Sequence, residues 1–234
     1  MLVIALMNRL KCYGICLGIV LSTHTFAQNK LSVTFCPLAA ADFISFQTIQ
    51  GGIEYRFTPA LSWYNEFGVE YIRSFISLPD TTILRPHGIK AKTEIRYYFP
   101  GSGRRSVFSR GHYIALNAFL TSDTHNTDVH YLYNRDTSLP REDAFGVRKK
   151  VWGLNLVYGR QQMIGKRFGL DLYLGLGLRF RYITTVGRQF DYNRDYLEMP
   201  IDYNIPAERA QTEAKGGFSM APNLTAGIRV FYRL

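Results

Sequence analysis

Hydrophobic and polar positions alternate with a period of two along much of this chain. From 168 to 182, Phe168, Leu170, Leu172, Leu174, Leu176, Leu178, Phe180 and Tyr182 hold one parity. Gly169, Asp171, Tyr173, Gly175, Gly177, Arg179 and Arg181 hold the other. A strand sends successive side chains to opposite faces, so one face is apolar with aromatics at its ends and the other is small or charged. Wound as a helix, the same leucines would scatter round the whole cylinder. The pattern returns at 147–163, where Trp152, Leu154, Leu156 and Tyr158 oppose Gly153, Asn155 and Gly159. At 46–57, Ile49, Ile53, Tyr55 and Phe57 oppose Gln50, Glu54 and Arg56. At 61–76, Trp63, Phe67, Val69 and Tyr71 oppose Tyr64, Glu66 and Glu70. At 87–99, Ile89, Ala91, Ile95, Tyr97 and Phe99 oppose Lys90, Lys92, Glu94 and Arg96. At 217–233, Phe218, Met220, Leu224, Ile228, Val230 and Tyr232 oppose Asn223, Thr225 and Arg229. Segments 111–133 and 30–37 carry the pattern less cleanly and complete a set of eight predicted strands.

The connections alternate in length. Those at 57–61 and 164–168 are tight, while 77–86, 134–146 and 188–215 are long and polar. Outer-membrane barrels have short turns on the periplasmic side and longer loops outside. With both termini periplasmic, 38–45 and all the long loops fall outside, and 100–110 is a longish periplasmic turn. Several strands exceed the usual soluble length of about 5–6 residues, and aromatics flank the apolar bands. Residues 28–234 are therefore read as an all-β, eight-stranded antiparallel up-and-down transmembrane β-barrel, which satisfies its backbone without an open edge.

In such a barrel the polar parity points inward, and eight strands leave an interior that side chains just fill. The inward carboxylates are Glu54, Glu66, Glu70, Glu94 and Asp171. The inward cations are Arg56, Lys90, Lys92, Arg96, Arg179, Arg181 and Arg229. Buried charges need partners, so the expectation is a salt-bridged plug rather than an open pore.

Arg9 and Lys11 precede an apolar run from Cys12 to Leu21, and Thr25 and Ala27 are small residues placed for signal-peptidase cleavage after Ala27. Residues 1–27 are thus predicted to be a signal peptide, and the run is too short to stay as a membrane-spanning helix. The expected destination is the outer membrane of a Gram-negative bacterium. Cys12 and Cys16 leave with the leader, so Cys36 stands alone and can form no internal disulfide.

Aromatic residues make up 15% of the chain, yet mean hydropathy is only −0.10, because apolar and polar positions interleave. The formal charge is +10, and removing Arg9 and Lys11 leaves +8. With no basic helix, zinc spacing or basic run, nucleic acid is excluded as a partner; anionic lipid head groups or an acidic partner fit the charge better. Walker and dinucleotide patterns are absent, and no cofactor is implied.

Several stretches resemble an uncharacterised family of small outer-membrane β-barrels of Bacteroidota. They are Gly88-Ile-Lys-Ala-Lys-Thr-Glu-Ile-Arg-Tyr-Tyr-Phe99, Val151-Trp-Gly-Leu-Asn-Leu-Val-Tyr-Gly159, Ile164-Gly-Lys-Arg-Phe168 and Pro222-Asn-Leu-Thr-Ala-Gly-Ile-Arg-Val230. The resemblance runs from about Leu31 onward. It implies an outer-membrane location and supplies no catalytic residues. Thr225, Gly227, Val230 and Tyr232 are similar to the C-terminal signal read by the barrel-assembly machinery, although the last residue is Leu234 rather than Phe.

Candidate chemistry is sparse. Some eight-stranded barrels modify lipids with a His, a Ser and a carboxylate. His125 near Ser122, Asp123, Thr124 and Asp128, or His112 at the start of its strand, are the residues for such an enzyme; a polar hydrogen-bonded loop has the same composition. His125 and His130 are five apart, hence on opposite strand faces, and make a poor metal pair. In the loop 188–215, Tyr192, Arg194, Tyr196 and Tyr203 are the residue types that anchor interfaces. The leading expectation is a non-enzymatic barrel serving envelope structure, or docking through its outer loops to another outer-membrane protein or larger assembly. Its other partners are outer-membrane lipids and, during biogenesis, the barrel-assembly machinery. A lipid-modifying enzyme using His125 or His112 and a narrow channel are the alternatives, with a water-soluble lipocalin-like binder behind them.

Overall fold

A computed structural model describes residues 30–41, 46–70, 83–85, 87–99, 111–136, 140–197, 212–213 and 215–234. The predicted leader 1–27 and its cleavage site, the end of the third predicted strand at 71–76, the turn 100–110 and Tyr203 lie outside the described residues. The strands are β1 (Leu31–Phe35), β2 (Thr48–Arg56), β3 (Leu61–Glu70), β4 (His87–Tyr98), β5 (His112–Leu132), β6 (Pro140–Met163), β7 (Phe168–Val186), the two-residue β8 (Tyr196–Leu197) and β9 (Gly217–Arg233).

All pairings are antiparallel, and the sheet closes on itself. β1 to β7 pair in chain order, β9 pairs with β7, and β1 pairs with β9. The result is a ring of eight strands, with β8 added on the end of β5. Following the pairing from Met220 through Phe180, Trp152, Leu120, Ala91, Phe67, Gly51 and Phe35 returns to β9 at Val230, ten residues further on. A ten-residue stagger over eight strands tilts each strand by about 40° to the ring axis, given strand spacing and rise per residue.

The burial is inside out for a protein in water. On the outer face, Leu156, Leu176 and Leu224 are 66%, 66% and 69% exposed, while Arg96 and Arg229 on the inner face are both 0% exposed. Aromatic pairs mark both edges of this apolar face. Tyr55–Phe57, Tyr97–Phe99 and Phe168–Tyr232 sit at the short-turn end, and Trp152–Phe180 and Phe180–Phe218 stack at the other. Within the band, the Trp63 indole N–H donates to Thr93 Oγ1 at 2.8 Å, so that donor is satisfied on the surface itself.

The strands are unequal. β1 to β4 have 5, 9, 10 and 12 residues, whereas β5, β6 and β7 have 21, 24 and 19. Three strands therefore project as a sheet past the long-loop rim. This corrects the expected loop at 134–146, because the β5–β6 ladder runs on to Leu132↔Pro140. The alternation reverses its phase in the projection. Val129, Tyr131, Phe145, Val147 and Ile183 are apolar and inward, and they form a buried cluster with Phe190. Outward there stand Arg148, Lys150, Asp128 and Glu142. Residues 83–85 lie along the projection's outer face, where Asn126 accepts the Leu84 N–H and donates to its carbonyl.

The seam between β1 and β9 is incomplete. β9 pairs with β1 only from Val230 to Arg233, because the chain leaves β1 at Cys36 and turns through a 3-10 segment, Pro37–Ala41. Leu38 of that turn lies beside Ala226, Gly227 and Ile228. Among the described residues, no strand covers the remaining edge of β9, residues 217–229. Pro222 fits this edge. The bond from Arg233 N to Arg167 O puts odd-numbered residues of β9 in hydrogen-bonded register with β7. The bond from Leu234 N to Leu31 O turns even-numbered residues toward the open side. The missing N–H of Pro222 thus faces the gap, and its place in β9 costs the β7 ladder nothing.

Candidate functional site

The interior is closed at the waist by two guanidinium groups. Arg96 meets Glu54 at 3.2 Å, Glu94 at 2.7 Å and Asp171 at 3.1 Å. Arg229 meets Glu66 at 2.9 Å, Glu94 at 2.6 Å and Asp171 at 3.4 Å. Glu94 and Asp171 are shared, so β2, β3, β4, β7 and β9 are tied across the ring. Lys92 adds a contact to Glu66 at 2.7 Å, and Arg56 lies 3.9 Å from Glu54. Four cations thus balance four carboxylates. Alternation puts each of these residues inward, and the ring's stagger brings them to one level.

Tyrosines complete the plug. The Tyr64 ring lies between the two guanidinium groups, 4.1 Å from Arg96 and 4.4 Å from Arg229. Tyr113 stacks on Arg96, and Tyr173 stacks on Arg229 at 3.9 Å. Their electron-rich faces stabilise the buried cations where water cannot. The Tyr64, Tyr98 and Tyr113 hydroxyls donate to Glu66, Glu54 and Asp171, and Ser62 and Gln161 also donate to Glu54. Gly227 leaves the space that the Tyr173 ring fills, because a Cβ there would overlap it. Above the plug, Asn223 donates to Asn155, Asn155 to Asn117, and Asn117 to Glu94.

The other predicted interior charges stand apart from this cluster. Lys90 donates to the Phe46 carbonyl at 2.9 Å with its ammonium over the Phe46 ring, and Glu70 is buried beside that strand end. Arg181 is half-buried and donates to Ser219 Oγ. Arg179 is on the inner parity but exposed, with no ion pair among the described residues. Neither belongs to the salt-bridged cluster at the waist.

Residues 188–197 form a cap rather than a free loop. Crossing from β7 to β5, they bury Phe190 and the Asp195 carboxylate. Asp143 accepts the N–H groups of Gln189 and Phe190, and Asp195 accepts those of Asp191 and Asn134. Arg194 makes two bonds to Asp195 and holds its carboxyl well below the usual range. Arg141 and Arg194 flank the Tyr133 ring, exposed Tyr196 pairs with the preceding Leu132, and exposed Tyr192 packs edge-on against Phe190.

Comparison with known proteins finds no matching family model, curated protein or solved structure.

The histidines do not assemble a triad. His125 is buried on the inner face between Asp123 and Glu213, each at 3.1 Å, while Ser122 and Thr124 point to the opposite face. His112 is on the outer parity, with its ring nitrogen bonded to the Tyr158 hydroxyl. His130 meets Glu142 at the projection's surface. Among the described residues, no three His, Cys, Asp or Glu side chains are placed to share a metal ion.

His125 instead latches residue 213 to the wall. It lies beyond the apolar band, where burial alone would lower its pKa. The two carboxylates outweigh burial, so the pKa is raised above the ordinary 6.5. Lys149 also reaches Glu213, at 3.7 Å. Because the folded value is raised, the histidine's contribution is full below pH 6.5 and is lost as pH rises through the folded value. Hydrogen exchange around Glu213 is expected to quicken over that rise in the native protein. In His125→Gln it should stay flat, and a parallel rise in the variant would remove the histidine from the explanation.

Proposed function

We propose that this chain is a plugged eight-stranded outer-membrane β-barrel, sent to the envelope by its leader. It acts without chemistry, as a structural or docking element. The observation that carries this reading is the inverted burial: an apolar, aromatic-edged outer face around a core whose largest fully buried side chains are Arg96 and Arg229. In water that outer face would be a large exposed apolar surface, which soluble monomers avoid. In a bilayer it meets hydrocarbon, and the ladders between neighbouring strands of the ring satisfy their backbone groups. The phase reversal in β5, β6 and β7 supports the same boundary, since apolar side chains turn inward where strands leave lipid for water.

The plug favours a sealed interior over the narrow channel, because both waist guanidinium groups are fully buried among carboxylates and tyrosine rings. Docking falls to the projecting sheet and its cap, where Arg141 and Arg194 flank Tyr133 and the cap exposes Tyr192 and Tyr196. Tyr and Arg at such a site anchor interfaces.

Two measurements test the reading. Reconstituted in planar bilayers, the protein is expected to give no steady conductance; an ohmic pore would restore the channel. Extracted from outer membranes in mild detergent, it is expected to co-elute with a second polypeptide in fixed ratio. Elution as a lone monomer would remove the docking role and leave the structural one.

A further inference from the structure

Two outward cations stand just past the apolar band, on its long-loop side. Arg148 and Lys150 of β6 are exposed on the outer face, and among the described residues neither forms an ion pair. Lys149, between them in sequence, points inward and reaches Glu213 at 3.7 Å. The nearest outward carboxylate on the described strands is Asp128, which pairs with Ala144. That is four positions beyond Arg148, or about 13 Å along the strand.

The strand fixes their height on the wall. Lys150 and Arg160 are both outward and exposed, and they bracket Trp152, Leu154, Leu156 and Tyr158. Ten residues of strand, tilted by about 40°, rise about 25 Å along the ring axis, the height of a membrane barrel's apolar band. Lys150 therefore stands at the boundary of the band, at the level of a bilayer's head groups. Arg148 stands about 5 Å farther out.

The neighbours make this place amphipathic. Lys150 pairs across the sheet with Ser122 and Tyr182, and Arg148 with Thr124 and Thr184, so hydroxyl-bearing residues flank both cations on the same face. Below Lys150 comes Trp152, which stacks on Phe180 at 6.1 Å, and Phe180 stacks on Phe218 at 6.3 Å. Above Arg148 comes Gly146, and the Leu84 side chain lies on it, because a Cβ there would overlap it. Two bonds to Asn126 hold Leu84 in place. The cations thus stand on a polar ledge, closed above by Leu84 and floored by an aromatic shelf.

We infer that Arg148 and Lys150 bind the phosphate of a lipid head group in the long-loop leaflet, with the acyl chains lying along Trp152, Phe180 and Phe218. The two chain positions are about 6.6 Å apart, so a guanidinium fork and an ammonium can engage one phosphate together through charge-assisted hydrogen bonds. Their charge selects a phosphate-bearing lipid over a neutral one, as basic residues at a membrane surface do. The aromatic shelf directly below selects a lipid over a free anion. The inference rests on the membrane-spanning reading above and adds a bound lipid at a stated place on the wall.

The test is native mass spectrometry of the full protein, expressed in a Gram-negative host and extracted in mild detergent. The added probes are dioleoylphosphatidic acid and dioleoylglycerol, which differ by the phosphate. The phosphatidic acid is expected to stay bound and the glycerol lipid to leave. Binding should weaken about tenfold or more in Arg148→Gln/Lys150→Gln, which removes both surface cations. Lys166→Gln/Arg167→Gln, an exposed pair at the short turn on the opposite rim, removes the same charge and should bind as the native protein does. Equal binding in Arg148→Gln/Lys150→Gln, or equal loss in the short-turn variant, would overturn the inference. So would equal retention of dioleoylglycerol, or displacement of the phosphatidic acid by millimolar inorganic phosphate. The gel mobility of heated and unheated samples reads the barrel separately. A barrel that shifts on heating yet holds no phosphatidic acid defeats the inference alone; a water-soluble protein with identical mobilities defeats the membrane reading with it.

Discussion

Arg229→Met is expected to destabilise the folded ring by about 3–5 kcal/mol, the usual cost of stranding buried charge. Methionine keeps much of the volume and removes the cation, leaving Glu54, Glu66, Glu94 and Asp171 facing Arg56, Lys92 and Arg96. Glu66 would still have Lys92, and Glu94 and Asp171 would still have Arg96, but one carboxylate would be in excess in a space water does not reach. Urea unfolding in detergent micelles measures the change. Adding Glu94→Gln should recover part of the loss, because it restores the balance. A variant as stable as the native protein would mean that water or protons compensate the carboxylates, and the plug would not be dry.

Leu176→Arg is expected to cost about 2–4 kcal/mol in a bilayer, the penalty for a cation at the midplane of a barrel's lipid face. Leu176 is midway along the outward leucines of β7 and 66% exposed. If that face were in water, the same substitution would be close to neutral, as surface changes generally are. Refolding equilibria in lipid vesicles therefore separate the membrane assignment from a water-soluble ring of the same topology.

The ring was largely legible in the sequence because a strand's period of two leaves little freedom. Once Leu172, Leu174 and Leu176 point out, Asp171 and Tyr173 must point in. Parity likewise placed Glu54, Glu66, Glu94, Arg96 and Arg229 inside. It could not say which carboxylate meets which cation, since that depends on the ten-residue stagger, a property of the closed ring. Tyr64, Tyr98, Tyr113 and Tyr173 are on the inner parity too, but parity alone does not mark them as partners of the arginines. Aromatic residues in this composition read first as a girdle.

The projection is hidden in the sequence for a different reason. Phe145, Gly146, Val147 and Arg148 alternate as well as any strand, but in the opposite phase, and polar neighbours at 140–143 resemble a loop. Reversed alternation next to an apolar band is the signal that marks it. Phe190, a lone aromatic among polar residues, was the signal for the cap.

The plug also has an order of assembly written into its chain positions. Glu54, Glu66, Glu94 and Arg96 are in the first half, Asp171 follows, and Arg229 comes five residues before the end. Its contact with Glu66 spans 163 residues. Until the C-terminal strand docks, the interior has one carboxylate too many, and pairing β9 with β1 one residue out of step would turn Arg229 to the apolar outer face. Neutrality and closure therefore arrive in the same event, so the last cation checks that the first and last strands have met in register.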